Sequence, residues 1–197
     1  MYDKGIYQTD EWFKSLEWQH GWIEKMAGWW VGNFGRPTSV LDFGAGDGWW
    51  CKAFHDMGGM SVCAIELFDV AREYIPPQVQ FIQHDLREPV NLGLSADLVI
   101  CLEVAEHLPG ASAAQLVATI CQHAANRVLF SSAPPGQPGT GHINLQTPDY
   151  WRKLFEGMKF KFDAGRTGQT RKAFENIVQE SFDFLPRNIQ IFSRVDW

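Results

Sequence analysis

A glycine-rich turn follows an apolar run in the segment 40–48, which reads VLDFGAGDG. Gly44, Gly46 and Gly48 stand at alternate positions, and Asp42 lies inside the apolar run. Glycine lets a backbone turn sharply and approach a ligand without an intervening Cβ, while the amides of a following helix can face that ligand. The segment therefore predicts a strand, a turn and a helix that together hold a nucleotide-type cofactor.

Three further acidic residues end later apolar runs. Glu66 comes about twenty residues after the glycines, the spacing expected of an acid that accepts hydrogen bonds from ribose hydroxyls. Asp85 ends the run 79–85, where it can accept a hydrogen bond from an exocyclic adenine amine, and Glu103 ends the run 97–103. Ligands of open α/β sheets bind at the carboxyl ends of the strands, so we expect these acids to converge at one edge.

Taken together, these residues resemble the class I S-adenosylmethionine-dependent methyltransferases. The run Glu103-Val-Ala-Glu106-His107-Leu-Pro resembles the small-molecule enzymes of that class, and the resemblance covers about residues 38–133. It implies an α/β, Rossmann-like fold with a seven-stranded, mostly parallel sheet, helices on both faces and a reversed last strand. It also implies S-adenosyl-L-methionine as cofactor and in-line methyl transfer to an oxygen or nitrogen of a small molecule.

The resemblance also assigns roles to individual residues. The three glycines would lie under the cofactor, Asp42 would order its amino-acid end and Glu66 would bind both ribose hydroxyls. Asp85 would bind the adenine, and the region of Glu103 would contact the methionyl part. The expected cofactor-binding residues are Asp42, Phe43, Gly44, Ala45, Gly46, Gly48, Glu66, Leu67, Asp85, Leu86, Leu102, Glu103 and Val104.

The acceptor side is predicted from histidines and aromatic residues. His107 and His142 are the candidate catalytic bases, because imidazole accepts a proton near neutral pH. A structural role for each is the alternative. Glu106 is expected to be a capping or solvated acid at a helix start. Tyr7, Trp12 and Asn144 are expected to line the acceptor pocket, next to the proline- and glycine-rich loop 133–141.

The sequence leaves two other functions open. A nicotinamide-dependent oxidoreductase would also use a glycine-rich turn, but Trp49 stands where its fingerprint needs a small residue for close helix packing. A cofactor-binding protein without catalysis is the other alternative. We expect no metal, because no two of the six histidines stand at ligand spacing and a hard ion would need more oxygens than Glu103, Glu106 and His107 provide.

Composition narrows the class of partner. The formal net charge of −6 and the pI of about 5.5 give no positive field for nucleic acid. The four scattered cysteines are typical of reduced, buried residues, and no secretory or membrane-spanning run is present, so we expect a cytoplasmic location. Basic residues predominate between positions 151 and 172; they form either a solvated face or a local attraction for an anionic acceptor.

The spacing of apolar residues predicts the arrangement of the chain. Residues 1–36 are expected to form an N-terminal helical cap, with helix between 10 and 33, and residues 37–197 the S-adenosylmethionine-binding domain. Helices are expected at about 49–57, 112–124 and 147–157, and a last helix around Phe174 that ends at Pro186. Strands are expected at 127–132, 159–162 and 189–195, after the four that carry the acids. The oligomeric state is left open.

Overall fold

A computed structural model describes residues 7–58, 60–178 and 183–195. A seven-stranded sheet with the order β3-β2-β1-β4-β5-β7-β6 forms its centre. Strands β1 to β5 are parallel, and β7 runs antiparallel to both β5 and β6. In chain order, β1 to β7 are Ser39–Phe43, Ser61–Glu66, Gln80–Gln83, Ala96–Leu102, Ala124–Ser131, Phe160–Phe162 and Gln190–Arg194.

Seven α-helices are found in the part of the chain that the structure describes. In chain order, α1 to α7 are Asp10–Lys14, His20–Phe34, Trp49–Asp56, Ala113–His123, Pro148–Gly157, Ala164–Glu175 and Phe184–Asn188. A 3-10 helix, Ser15–Gln19, joins α1 to α2, and a short 3-10 turn, Ala105–His107, follows β4. Thr147 accepts a hydrogen bond from the Tyr150 amide and Pro148 opens the first turn of α5, which confirms the predicted start of that helix.

The helices cover both faces of the sheet. Apolar residues of α4 and α5 pack on one face, against Phe43 and Val99 among others. Residues of α2, α3 and α6 pack on the other face, against Val40 and Ile100 among others. Because both faces are covered, the central strands are nearly continuous apolar runs, and only their carboxyl ends are available for chemistry. The predicted α/β, Rossmann-like architecture with a reversed last strand is confirmed.

Two predicted boundaries are wrong. The helix around Phe174 ends at Glu175, and Pro186 lies inside the separate short helix α7 instead of ending the longer one. Proline is tolerated there because the first helical turn has amide groups without intrahelical partners. Strand β5 also begins three residues earlier than predicted, at Ala124. None of the helices that the structure describes has the length and apolarity to cross a membrane.

Candidate functional site

The turn after β1 needs its glycines. Gly44, Gly46 and Gly48 have φ angles of 81°, 56° and 73°, in the left-handed region that other residues rarely adopt. A Cβ on Gly44 would lie 2.4 Å from the Cγ2 of Val104. The amides of Gly44 and Ala45 donate to the carbonyl of Ile65 at 2.8 and 3.1 Å, which fixes the turn to β2. The turn is therefore a rigid, side-chain-free floor at the carboxyl edge of the sheet.

Glu66, at the end of β2, is tied to this turn. Its Oε2 accepts a hydrogen bond from the amide of Gly46 at 3.0 Å, and its Oε1 accepts one from the amide of Leu67 at 2.7 Å. Burial raises the pKa of Glu66, while these amide donors act in the opposite direction. An ionised carboxylate has about four acceptor positions, so Glu66 can also accept hydrogen bonds from two ligand hydroxyls.

Three carboxyl groups surround the turn. Asp42 is buried, and its Oδ2 has no hydrogen-bond partner. Burial, with the neighbouring charges of Glu66 and Asp47, raises the pKa of Asp42 from 3.8 to about 8. Burial also raises the pKa of Asp47, which is bonded to His20. This cluster favours a ligand with positive charge and opposes one with two phosphates.

Two adjoining cavities lie at this edge of the sheet, with volumes of about 140 and 220 Å³. Both are bounded by Trp12, Gly44 and Glu103. The first is also lined by Tyr7, Glu66, Leu67, Phe68, Leu86, Val104, His107 and Leu108. The second is also lined by Leu16, Gln19, Ile23, Asp42, Ala45, Gly46, Asp47, Trp50, Leu102, Phe184 and Leu185. Together the cavities reach the lower end of the range of about 300–1,000 Å³ for small-molecule pockets.

The N-terminal segment forms the roof over the glycine turn. A Cβ on Gly46 would lie 3.2 Å from Leu16 and 3.8 Å from Trp12. The ring of Trp12 meets that of Tyr7 edge to face, with 5.3 Å between centroids, and the Tyr7 hydroxyl donates to the carbonyl of Thr140 at 2.6 Å. The predicted pocket residues Tyr7 and Trp12 therefore line the first cavity and connect the N-terminal segment to the loop after β5.

Two acidic side chains follow β4. The Glu103 carboxylate accepts hydrogen bonds from Asn188 Nδ2, 3.2 Å from each oxygen, and its backbone has a φ of 54°. The Glu106 side chain is fully buried, and its Oε1 accepts from the amide of Ala133 at 3.1 Å. Burial and the charge of Glu103 raise the pKa of Glu106 to about 8. The expectation that Glu106 is a solvated or capping acid is therefore wrong.

The predicted catalytic histidines lie next to each other. The rings of His107 and His142 are 4.9 Å apart between centroids. His107 Nδ1 lies 3.2 Å from the carbonyl oxygen of Gly141, and burial, with the neighbouring His142, lowers the pKa of His107 to about 4. His107 is therefore neutral at physiological pH. One ligand atom from each of His107, His142 and Glu106 lies within 4.8 Å of the others, so these side chains could hold a metal.

Five predicted site residues lie outside the two cavities, and the candidate base His142 is one of them. Phe43 is buried in the core under the turn, and Gly48 is the N-cap of α3. The Asp85 carboxylate is bonded to Arg87, which lowers the pKa of Asp85, whereas the adjacent Leu86 lines the first cavity. Asn144 is buried, and its Nδ2 donates to the carbonyl of Ala105 at 3.2 Å, so it fastens the loop after β5 to the turn after β4.

Some cavity residues were not predicted from the sequence. Leu16, Ile23 and Leu185 come from helices on either side of the turn, and no local motif marks them. Gly139, in the loop 133–141, lines neither cavity, but a Cβ there would lie 2.2 Å from the ring of His142. The basic residues between 151 and 172 do not line the two cavities. Their arginines have partners elsewhere: Arg152 pairs with Asp149, Arg166 with Asp163, and Arg171 donates to the carbonyl of Ile189.

Solved structures share this fold at low sequence identity. Magnesium protoporphyrin IX methyltransferase (ChlM) from Synechocystis PCC 6803, with bound SAH, is 21% identical with a TM-score of 0.63, over 90% of this chain and 84% of that one. The sugar N-methyltransferase KedS8 from Streptoalloteichus sp ATCC 53650 is 13% identical with a TM-score of 0.73, and the match covers 100% of this chain and 96% of that one. SAM-bound CalS10, an amino pentose methyltransferase from Micromonospora echinaspora, is 15% identical with a TM-score of 0.67, and the match covers 92% of this chain and 96% of that one.

A search of the curated proteins gave no match. The comparison with protein families gave one match, which begins just after the roof residues Tyr7, Trp12 and Leu16 and includes the glycine turn. Residues 17–181 match the family described as "Methyltransferase domain", and the chain belongs to that family.

Proposed function

We propose that this protein transfers the methyl group of S-adenosylmethionine to an oxygen or nitrogen of a small-molecule acceptor. The observation that carries the proposal is the left-handed glycine turn among Asp42, Asp47 and Glu66, in a chain of the methyltransferase family. Three similar folds support a small acceptor, since their names specify a sugar, an amino pentose and magnesium protoporphyrin IX.

The residues around the turn fit the donor. Glu66 would accept hydrogen bonds from the ribose hydroxyls, and the unpartnered Oδ2 of Asp42 would accept one from the donor's ammonium group. Leu67 and Leu86 provide apolar walls for the adenine. When bound, the donor supplies a sulfonium methyl: a bond from the acceptor atom to carbon forms as the carbon–sulfur bond breaks, and sulfur keeps the electron pair.

The acceptor would enter beside His107, Tyr7 and Trp12, which line the first cavity with the Tyr7 ring in contact with the other two. Aromatic walls can stack a planar or ring-shaped acceptor and exclude water. The rate then comes mainly from holding the acceptor atom in line with the methyl group. His107 and His142 are proposed to contact the acceptor; the neutral ring of His107 has a lone pair available at physiological pH.

Trp49 does not favour the nicotinamide alternative. Its ring is stacked on that of His20, 3.5 Å between centroids, at the first position of α3. A dinucleotide fingerprint needs a small residue there, so that the helix that binds the pyrophosphate can pack closely on the strand. A protein that binds the donor but has lost catalysis is the other function that an experiment must separate.

Calorimetry with S-adenosylmethionine, its demethylated product and NAD tests the donor. We expect micromolar binding of the first two and none of NAD. A screen of hydroxylated and aminated acceptors with isotopically labelled donor then tests catalysis. Label in one acceptor class supports an enzyme, tight donor binding without any labelled product supports the non-catalytic alternative, and binding of NAD alone contradicts the proposal.

A further inference from the structure

Three potential metal ligands meet where the turn after β4 touches the loop after β5. Among the described residues, Glu106, His107 and His142 form one group in which a ligand atom of each lies within 4.8 Å of the others. Two of them adjoin in the chain, and the loop 133–144 brings the third. The amides of Ile143 and Asn144 fasten that loop by donating to the carbonyl of Glu106, at 2.9 and 3.0 Å.

The hydrogen bonds of both histidines leave a lone pair available. Nδ1 of His107 lies 3.2 Å from the carbonyl oxygen of Gly141, and Nδ1 of His142 lies 3.4 Å from that of Gln137. A carbonyl oxygen only accepts, so each Nδ1 must carry the proton of these contacts, and Nε2 of the neutral ring keeps its lone pair. Metal-binding histidines in proteins commonly donate their second ring nitrogen to a carbonyl in this way.

Glu106 offers an oxygen that the protein does not satisfy. Its Oε1 accepts from the amide of Ala133, whereas its fully buried Oε2 accepts from no amide or hydroxyl group; the Glu106 carboxyl lies within hydrogen-bonding reach of the Glu103 carboxyl. Glu103 is the neighbouring acid, and none of the ion pairs between described residues includes Glu103 or Glu106. A fully buried carboxyl group and a half-buried one, side by side and without a basic partner, would be stabilised by a cation.

We propose that Glu106, His107 and His142 bind one divalent first-row transition-metal ion, and that its open coordination positions take an oxygen of the acceptor. Two imidazoles and one carboxylate suit Zn²⁺ or Co²⁺ better than Mg²⁺, which prefers oxygen ligands. Three protein ligands leave at least one open position, and His107 also lines the first cavity. The role toward the acceptor rests on the proposed function, whereas the metal site itself does not.

The geometry requires only a small contraction. Bonds of about 2.0–2.1 Å in a tetrahedral site put ligand atoms roughly 3.4 Å apart. The three ligand atoms lie within 4.8 Å of one another, so metal binding would need them to approach by up to about 1.4 Å. The sequence alone predicts no metal, because no two histidines stand at ligand spacing; the fold brings His107 and His142 together although they are far apart in the chain.

Titration with Co²⁺ tests the site without any methyl transfer. Protein freed of metal by a chelator is titrated while the visible absorption of bound Co²⁺ is recorded, and Zn²⁺ is then added to displace it. The variants are His142→Asn, His107→Asn and Glu106→Gln. The control is His55→Asn, since His55 lies in the last turn of α3 and bonds to the carbonyl of Met60.

We expect the wild type and the His55 variant to bind one equivalent of Co²⁺, which Zn²⁺ then displaces. In each of the three ligand variants, the affinity for Co²⁺ should be at least about tenfold weaker. His142 is only half-buried on a loop, so its variant is expected to fold, which circular dichroism checks. Absence of binding in the wild type, or equal binding in the His142 variant, overturns the metal site. Calorimetry of the metal-free wild type with the demethylated donor product tests the proposed function separately.

Discussion

The amide of Gly46 donates a hydrogen bond to Glu66 Oε2 at 3.0 Å, which joins the glycine turn after β1 to the end of β2. The other oxygen of the same carboxylate accepts from the amide of Leu67 at 2.7 Å. One side chain therefore both shapes the turn and lines the cavity beside it. Because the two roles use the same carboxylate, a change at Glu66 affects the donor pocket in two ways.

The first prediction concerns Glu66→Ala and Glu66→Gln. Alanine removes the acceptor for Gly46 and the proposed contact with the ribose, so affinity for the demethylated donor product should fall by about 10- to 100-fold, the equivalent of about one hydrogen bond to a charged group. Glutamine keeps one oxygen, so it should lose less. Glu73→Ala, which removes an exposed acid, is the control. Equal affinity in all three variants, measured by calorimetry, would show that Glu66 does not bind the donor.

The second prediction concerns Gly44→Ala. The new Cβ would lie 2.4 Å from Val104 Cγ2, in a left-handed backbone conformation. Overpacking and backbone strain should together cost about 2–4 kcal/mol in the free energy of unfolding. In the double variant with Val104→Ala the two shortest contacts disappear, which leaves a contact of 3.3 Å with the Cβ of residue 104 and the backbone strain. Urea denaturation should therefore give a coupling of at least about 1 kcal/mol between the two changes; strictly additive costs would contradict the contact.

The third prediction concerns the pH dependence of stability. The pKa of Asp42 is about 8 in the folded protein, against 3.8 ordinarily. Between these values the native state holds a proton that the unfolded state has lost, so Asp42 makes stability fall as pH rises toward 8. Asp42→Asn removes this dependence. The melting temperature of the variant minus that of the donor-free wild type should therefore become more positive between pH 5 and pH 8.5. A pH-independent difference would show that Asp42 titrates normally.

Local signals predicted the strands and the glycine turn. The apolar runs that end in Glu66 and Glu103 form strands because they can be buried on both faces, and Gly44, Gly46 and Gly48 adopt the positive φ angles that their spacing suggests. No local signal could predict that Glu106 is buried, because its amide partner, Ala133, belongs to the segment that leaves β5.

The same limit applies to the acceptor side. His107 and His142 meet only because the loop after β5 folds back over the turn after β4. Asp85 was expected at the adenine from its place at a strand end, but the sequence did not indicate that Arg87 would bind its carboxylate. Sequence patterns identified which residues could do chemistry, whereas the contacts between distant segments decided which of them face the cavities.

The last prediction concerns His20, whose Nε2 lies 2.6 Å from Asp47 Oδ2 and whose ring stacks on Trp49. These two contacts attach the start of α2 to the glycine turn and so hold the N-terminal roof. His20→Phe keeps the stack and loses the hydrogen bond to Asp47, while His20→Ala loses both. Amide exchange of residues 10–19 should therefore be fastest in the alanine variant, intermediate in the phenylalanine variant and unchanged in Glu24→Ala, an exposed position of the same helix. If these amides exchange in the alanine variant at the same rate as in the wild type, other contacts, such as that of Leu16 with Gly46, are sufficient to hold the roof.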